Sequence, residues 1–147
     1  MQSRIPNITK ILAEAMAPAQ ALAKVADPIL PAKLRGLVHM RASQINGCAF
    51  CLELHTKMLH TDETQQRLLT VAAWRDSPFF SDAERAALGL TEAVTLISED
   101  GVPDAVWEEA KRHFDERQLA ALVLHIAVVN VWNRLNVATR QVAGTGW

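Results

Sequence analysis

The chain is poor in cysteine and has no excess of charge of either sign. Two cysteines among 147 residues cannot staple a fold together, so stability has to come from a buried apolar core. With 15 basic and 16 acidic residues the formal net charge is −1, which offers no basic surface to nucleic acid or to an anionic membrane. Alternating strand patterns, a glycine-rich phosphate loop, an internal repeat and a linker are also lacking. One domain over residues 1–147 is therefore expected. The stretch Met1 to Pro6 has no apolar core of signal-peptide length, and the cysteines stand at the spacing of a redox motif. A reducing cytoplasm, where a dithiol can cycle, is the expected location.

What the chain does have is apolar surface, since half its residues are hydrophobic. A chain of this length buries roughly two thirds of its unfolded surface. The surplus fits either a well-filled core or a face shared between copies of the chain.

Hydrophobic periodicity predicts an all-α, single-domain bundle of about seven helices. The first runs from Ile8 to about Ala26, with Ile8, Ile11, Leu12 and Ala15 at helical spacing, and Pro18 is expected to break or restart it. Residues 27–31 read as an extended connection, because Pro28 and Pro31 each bias the preceding residue away from the helix. The second helix spans Ala32 to Ile45, with Leu34, Leu37, Val38, Arg41 and Ile45 on one face. In that company Arg41 either pairs with an acid near the next helix or snorkels to solvent. After the cysteine helix, Thr61 or Asp62 is expected to cap a helix reaching Arg75, with Leu68, Leu69, Ala72 and Ala73 inward. Phe79 and Phe80 should tuck against the core or a neighbouring subunit.

Ser81 to Glu84 and Asp115 to Gln118 read as capping boxes, opening helices to about Ile97 and Val137. The first carries the stripe Ala87, Leu88, Thr91, Val94 and Thr95, with Leu96 and Ile97 beside it. Pro103 opens a shorter helix to Phe114. The last helix is apolar nearly all round from Leu119 to Trp132, so it should be buried on more than one side. Its length and its interruption by His125 and Asn130 argue against a membrane span. Asn130, Asn133 and Asn136 recur every third residue, a polar row suited to backbone groups of neighbouring helices or subunits. Residues 144–147 read as a frayed tail.

The chemistry concentrates in Ser43-Gln44-Ile45-Asn46-Gly47-Cys48-Ala49-Phe50-Cys51-Leu52-Glu53-Leu54-His55. Asn46-Gly47 is turn chemistry, and a helix is expected to begin near Cys48. At helical spacing Cys48, Cys51, Leu52, His55, Met58 and Leu59 share the inward side, with Glu53, Thr56, Lys57 and His60 opposite. Two thiols one turn apart at a helix start close a disulfide with little backbone movement, and the helix end favours thiolate. His55, one turn beyond Cys51, is placed to take or return its proton. Three other readings use the same residues. Zinc wants four closed ligands, and no third cysteine exists. Two buried thiols with a hydrogen-bonded core histidine need no chemistry at all. A permanent disulfide closing so short a loop stabilises little.

The run from Leu37 to His55 resembles the core signature of the AhpD-like alkylhydroperoxidases, within the carboxymuconolactone decarboxylase superfamily. The likeness combines the Ser-x-x-Asn-x-Cys-x-x-Cys-x-x-x-His spacing with the helix before it, and Thr91-Glu92-Ala93 and Asn130-Val131-Trp132-Asn133-Arg134 are similar too. The resemblance implies a peroxide-reducing dithiol in which Cys51 attacks, Cys48 resolves and His55 joins a proton relay, with no cofactor or metal. Physical reasoning alone leaves the cysteine roles open, since Cys48 gains more from the helix end and Cys51 more from His55. The family often places a glutamate twelve residues before the first cysteine, where this chain has Gly36.

Glu92 is a candidate replacement, weighed against being a paired structural acid. His39, Arg41, Ser43 and Asn46 are candidates for supporting hydrogen bonds or, equally, for surface and capping roles. Decarboxylase members generally lack the cysteine pair, which argues against lactone decarboxylation.

The expected substrate is hydrogen peroxide or an alkyl hydroperoxide, in a small cavity lined by Leu, Phe and Met. The expected partners are a thioredoxin-like or lipoyl-type dithiol reductant and further copies of the chain, as a dimer, trimer or hexamer. Two other readings remain. One is a redox-sensing or stress-associated oligomer with negligible turnover, which Gly36 favours; the other is a protein disulfide oxidoreductase.

Overall fold

The computed structural model describes residues 1–59 and 64–145. These form α1 (Ile8–Ile11), α2 (Ala13–Ala26), a 3₁₀ turn (Asp27–Ile29), α3 (Ala32–Ile45) and α4 (Ala49–Leu59). After them come α5 (Gln65–Thr70), a second 3₁₀ segment (Val71–Asp76), α6 (Asp82–Leu96), α7 (Asp104–His113) and α8 (Glu116–Ala138). The all-α expectation holds, with one α-helix more than predicted because Leu12 divides the first.

Helix α3 is the hub, packed against α4, α6 and α8. Leu34 and Val38 enter one apolar cluster with Ala87, Leu90, Leu122 and Ile126. Leu37 and Met40 enter a second with Leu59, Trp74, Phe80 and Leu88. Each fully buried leucine of this kind contributes about 2 kcal/mol. The cysteines and Phe50 form a separate small cluster beside these two.

The capping boxes are present at Ser81/Glu84 and Asp115/Gln118, each with reciprocal side-chain and backbone hydrogen bonds. Ser81 and Asp115 thereby satisfy amide donors that the helix itself leaves open. Helix α8 is 23 residues long and, by length and composition, apolar enough to cross a membrane, so the length argument against a span does not stand. It is a bundle helix in this structure, where Leu122, His125, Ile126, Val129 and Asn133 are buried on the sides facing its neighbours.

Several local expectations need correction. Pro18 lies inside α2 without breaking it, and the break falls at Leu12 instead. The apolar stripe of α1 is not buried; Ile11 and Leu12 are exposed. Residues 27–29 coil into a 3₁₀ turn, and only Leu30 and Pro31 keep extended backbone, because Pro28 at an early helical position costs no needed donor. The expected caps Thr61 and Asp62 lie outside the described residues, and Thr64 caps α5.

Beyond Thr70 the chain tightens to three residues per turn, so Val71, Trp74, Ser77 and Phe80 point inward while Ala72, Ala73 and Phe79 do not. Leu69, Met58, Leu96 and Ile97 are likewise exposed rather than packed. Each lies in the last turn or at the C-cap of its helix but on the outward side, since Leu59, Val71 and Thr95 close by are buried.

Candidate functional site

The junction between α3 and α4 sets the cysteines. Asn46 caps α3 in helical conformation, and Gly47 then takes φ +66°, a backbone region that side chains disfavour. The Gly47 N–H donates to the Gln44 carbonyl and the Cys48 N–H to the Ser43 carbonyl, a Schellman closure. Cys48 thereby becomes the cap of α4: its carbonyl accepts from Leu52 N–H, and its Sγ accepts from Cys51 N–H at 3.2 Å. Cys48 and Cys51 are joined by a disulfide with a Cα separation of 5.3 Å, and both residues are 2% exposed.

Asparagines of α8 support this junction. The Asn46 side-chain amide lies 2.9 Å from Asn130 Oδ1 and 3.0 Å from Asn133 Oδ1, and Asn133 Nδ2 donates to Ser43 Oγ at 3.0 Å. Asn130 also donates to Thr95 Oγ1. Asn136 Nδ2 approaches Cys51 Sγ at 3.6 Å. The three-residue spacing of these asparagines was visible in the sequence, but their partners are chiefly side chains of the site rather than neighbouring backbone. Asn136 is thus a site residue that sequence reasoning placed only in a structural row.

A cleft of about 500 Å³ reaches the disulfide from the Cys48 side, lined among others by Ala49, Asn136, Val137, Arg140 and Val142. It is not the expected Leu, Phe and Met cavity: apart from Met1, its lining comes from Gln2, the turn into α4, the end of α8 and the segment after it. A smaller cavity of about 140 Å³ lies between α3 and the later turns of α4, against Arg35, Gly36, His39, His55 and Leu59.

Gly36 has a steric reason. A Cβ built there would stand 2.2 Å from Leu59 Cδ2, so Leu59 fills the direction in which any side chain would leave α3.

His55 lies on α4 one turn beyond Cys51, and burial lowers its pKa to about 4. His39 of α3 approaches it with ring centroids 5.2 Å apart, and His125 of α8 lies 5.5 Å from His39 on centroids. Burial, then the neighbouring rings and Arg35, hold His39 well below the ordinary imidazole value. His125 was visible in the sequence only as an interruption in an apolar helix. It is 1% exposed and neutral, because burial outweighs the opposing pull of the Ala26 carbonyl and Asp27.

Glu92 is elsewhere. Its carboxylate meets Arg41 at 2.8 Å, Arg75 at 2.7 Å and Trp74 Nε1 at 2.8 Å. Burial pushes its pKa up, but these donors outweigh it and hold the carboxyl below the usual range. No described hydrogen bond joins Glu92 or Arg41 to the cysteines or His55. Arg41 takes the paired reading, bonding also to Gln44, and the pair holds α3 against α6.

The chain matches the carboxymuconolactone decarboxylase family over residues 12–93. It is 44% identical over 105 residues to the uncharacterised protein YdfG of Bacillus subtilis, covering 71% of each chain. To the uncharacterised protein YnjA of Escherichia coli it is 36% identical over 113 residues, covering 76% of this chain and 59% of that one. Among solved structures, one from Agrobacterium tumefaciens, of unknown function and tentatively assigned to antioxidant defence as AhpD, superposes with a TM-score of 0.91 at 35% identity, over 98% of this chain and 99% of that one. The apo debrominase Bmp8 shares the fold, with a TM-score of 0.77 at 22% identity over 88% of this chain and 70% of the other. The cysteine motif, the bundle that presents it and these likenesses agree that the chain belongs to the carboxymuconolactone decarboxylase family, as an AhpD-like member.

Proposed function

We propose that the chain is a thiol-dependent peroxidase that reduces hydrogen peroxide or alkyl hydroperoxides through Cys48 and Cys51. The observation that carries this reading is the disulfide at the start of α4, with an imidazole one turn along and a cleft at its Cys48 side.

In the reduced protein Cys51 loses its proton to His55, and Asn136 donates toward the sulfur. The thiolate attacks one peroxide oxygen, the O–O bond breaks, and the departing alkoxide or hydroxide takes up a proton. Cys51 is then a sulfenic acid. The Cys48 thiol attacks that sulfur, the S–O bond breaks, and water leaves with the Cys48 proton. A dithiol of thioredoxin-like or lipoyl type restores the pair: its thiolate attacks Cys48, the sulfur on the cleft, and releases Cys51 as thiolate. The second thiol of the reductant then displaces Cys48 and leaves as the oxidised disulfide.

A cytoplasmic setting supplies such reductants. Exposed Ile11, Leu12, Leu22 and Val25 along α1 and α2 support assembly of several copies. Gly36 favours a second reading, a redox sensor that oxidises reversibly with negligible turnover, because Leu59 occupies the space of a side-chain acid.

Peroxide consumption with dithiothreitol or dihydrolipoamide, in wild type, Cys51→Ser and Cys48→Ser, separates the two. Turnover that both substitutions abolish supports the peroxidase. Wild-type thiols that oxidise reversibly without turnover above buffer reject it and leave the sensor.

A further inference from the structure

Three of the five histidines of the chain lie in one file that joins three separate helices. His55 of α4, His39 of α3 and His125 of α8 follow at centroid separations of 5.2 and 5.5 Å. At that spacing one water between neighbouring rings suffices to carry a proton from one to the next. The file begins one turn from Cys51. It ends at Asp27, whose Oδ1 is 3.8 Å from His125 Nε2 and whose side chain is 40% exposed. Asp27 is in turn bonded to Arg35, which lines the small cavity together with His39 and His55.

His125 is the informative member. Neither of its ring nitrogens makes a hydrogen bond of good geometry among the described residues, although the ring is almost wholly buried. A bundle that needed only to fill this space would do better with leucine.

The geometry points to a proton path in which His39, His125 and Asp27 extend His55 from Cys51 to the surface, holding the proton that the sulfur gives up. This rests on the peroxidase reading only in so far as Cys51 has to ionise. As the Cys51 S–H bond breaks, one ring nitrogen of His55 takes the proton and the N–H of the other gives one up; His39 and His125 repeat the exchange, and the last proton reaches the Asp27 carboxylate. When the peroxide O–O bond breaks, a proton returns by the same route to the departing oxygen.

His55 by itself, held near 4 while the sulfurs are bonded to each other, is a weak acceptor for a thiol proton. Handed on through His39 and His125 to a carboxylate at the surface, the proton does not have to stay on His55. Arg35 of α3 is the cation facing the file; it discourages charge from settling on His39. Asp27, the acid facing the file, favours charge on His125. The path also explains how the site works with Gly36, since the acid enters from the turn after α2 rather than from α3.

The test is the pH profile of Cys51 alkylation by iodoacetamide in a Cys48→Ser background, with and without His125→Gln or Asp27→Asn. It is read beside single-turnover oxidation of the otherwise unaltered reduced chain by hydrogen peroxide. Both substitutions should move the alkylation midpoint upward by about one pH unit and slow oxidation about tenfold. A wild type that ignores peroxide, while the midpoints still move, would reject the peroxidase and keep the path. Midpoints unchanged in both variants overturn the path whatever the peroxide result, as does slower oxidation without a midpoint shift. Should His125→Gln fail to fold, Asp27→Asn at the exposed end decides alone.

Discussion

Two of the polar clusters inside this bundle, those around Glu92 and His39, are built differently. Around Glu92, every strong group is answered: two guanidiniums and an indole N–H converge on one carboxylate. Around His39, three rings lie in file, each tilted against the next, and His125 keeps both nitrogens without a well-formed bond. A satisfied cluster fixes the packing of α3 on α6 and has little left to do. A buried group left short of partners costs stability, and chemistry is the usual reason for keeping it.

The largest expected effect breaks the chemical side of the contrast. Cys51→Ser removes the disulfide and should bring peroxide consumption down to the buffer rate, read with a dithiol as electron donor, while the helical circular dichroism is kept. Glu92→Gln breaks the structural side. It leaves Arg41 poorly paired in a site where its side chain is 17% exposed, and should cost about 2 kcal/mol in urea unfolding. Alkylation of Cys51 should keep its wild-type pH midpoint in that variant; a shift would return Glu92 to the relay.

Acidification distinguishes the clusters by window. His39, His55 and His125 have folded pKa values below their unfolded ones, so their contribution is complete above the unfolded value of ~6.5 and is lost as pH falls toward the folded value, about 4 for His55. For Glu92 the folded value is also depressed, so its contribution holds above ~4.3 and fades only below that. Stability should therefore fall in two stages. His125→Leu should weaken the first stage, and near neutral pH it should unfold no more easily than wild type, measured by urea midpoints across pH. A single stage below pH ~4.3 in the wild type would contradict the assignment of neutral buried rings.

Smaller effects sharpen the steric account. Gly36→Glu drives a Cβ into Leu59 and should cost about 1–3 kcal/mol, much of it recovered when Leu59→Ala makes room. Gly47→Ala, at a positive φ in open space, should cost about 1 kcal/mol.

The part of this contrast that was legible in the sequence is the part carried by local rules. Helix α3 begins after Pro31 and ends at Ile45 as expected, because Asn46-Gly47 is turn chemistry. Both capping boxes were readable for the same reason. Residues 71–76 were misjudged because a 3₁₀ coil and an α-helix share composition, and only packing decides which one turns Trp74 inward.

The cysteines and His55 announced themselves by spacing along one helix. His125 and Asn136 did not, since each reaches His39 or Cys51 through a contact that spans most of the chain. A lone histidine in an apolar run on a buried helix was the available signal, and it was read as an interruption.

The most direct measurement is the ionisation of the reduced thiols, followed by thiolate absorbance against pH in the full chain. One of the two sulfurs should ionise well below the ~8.5 of a free cysteine, and the low value should vanish in Cys51→Ser. Two thiols that both ionise at or above that value would leave Cys48 and Cys51 as ordinary buried residues of a helical bundle.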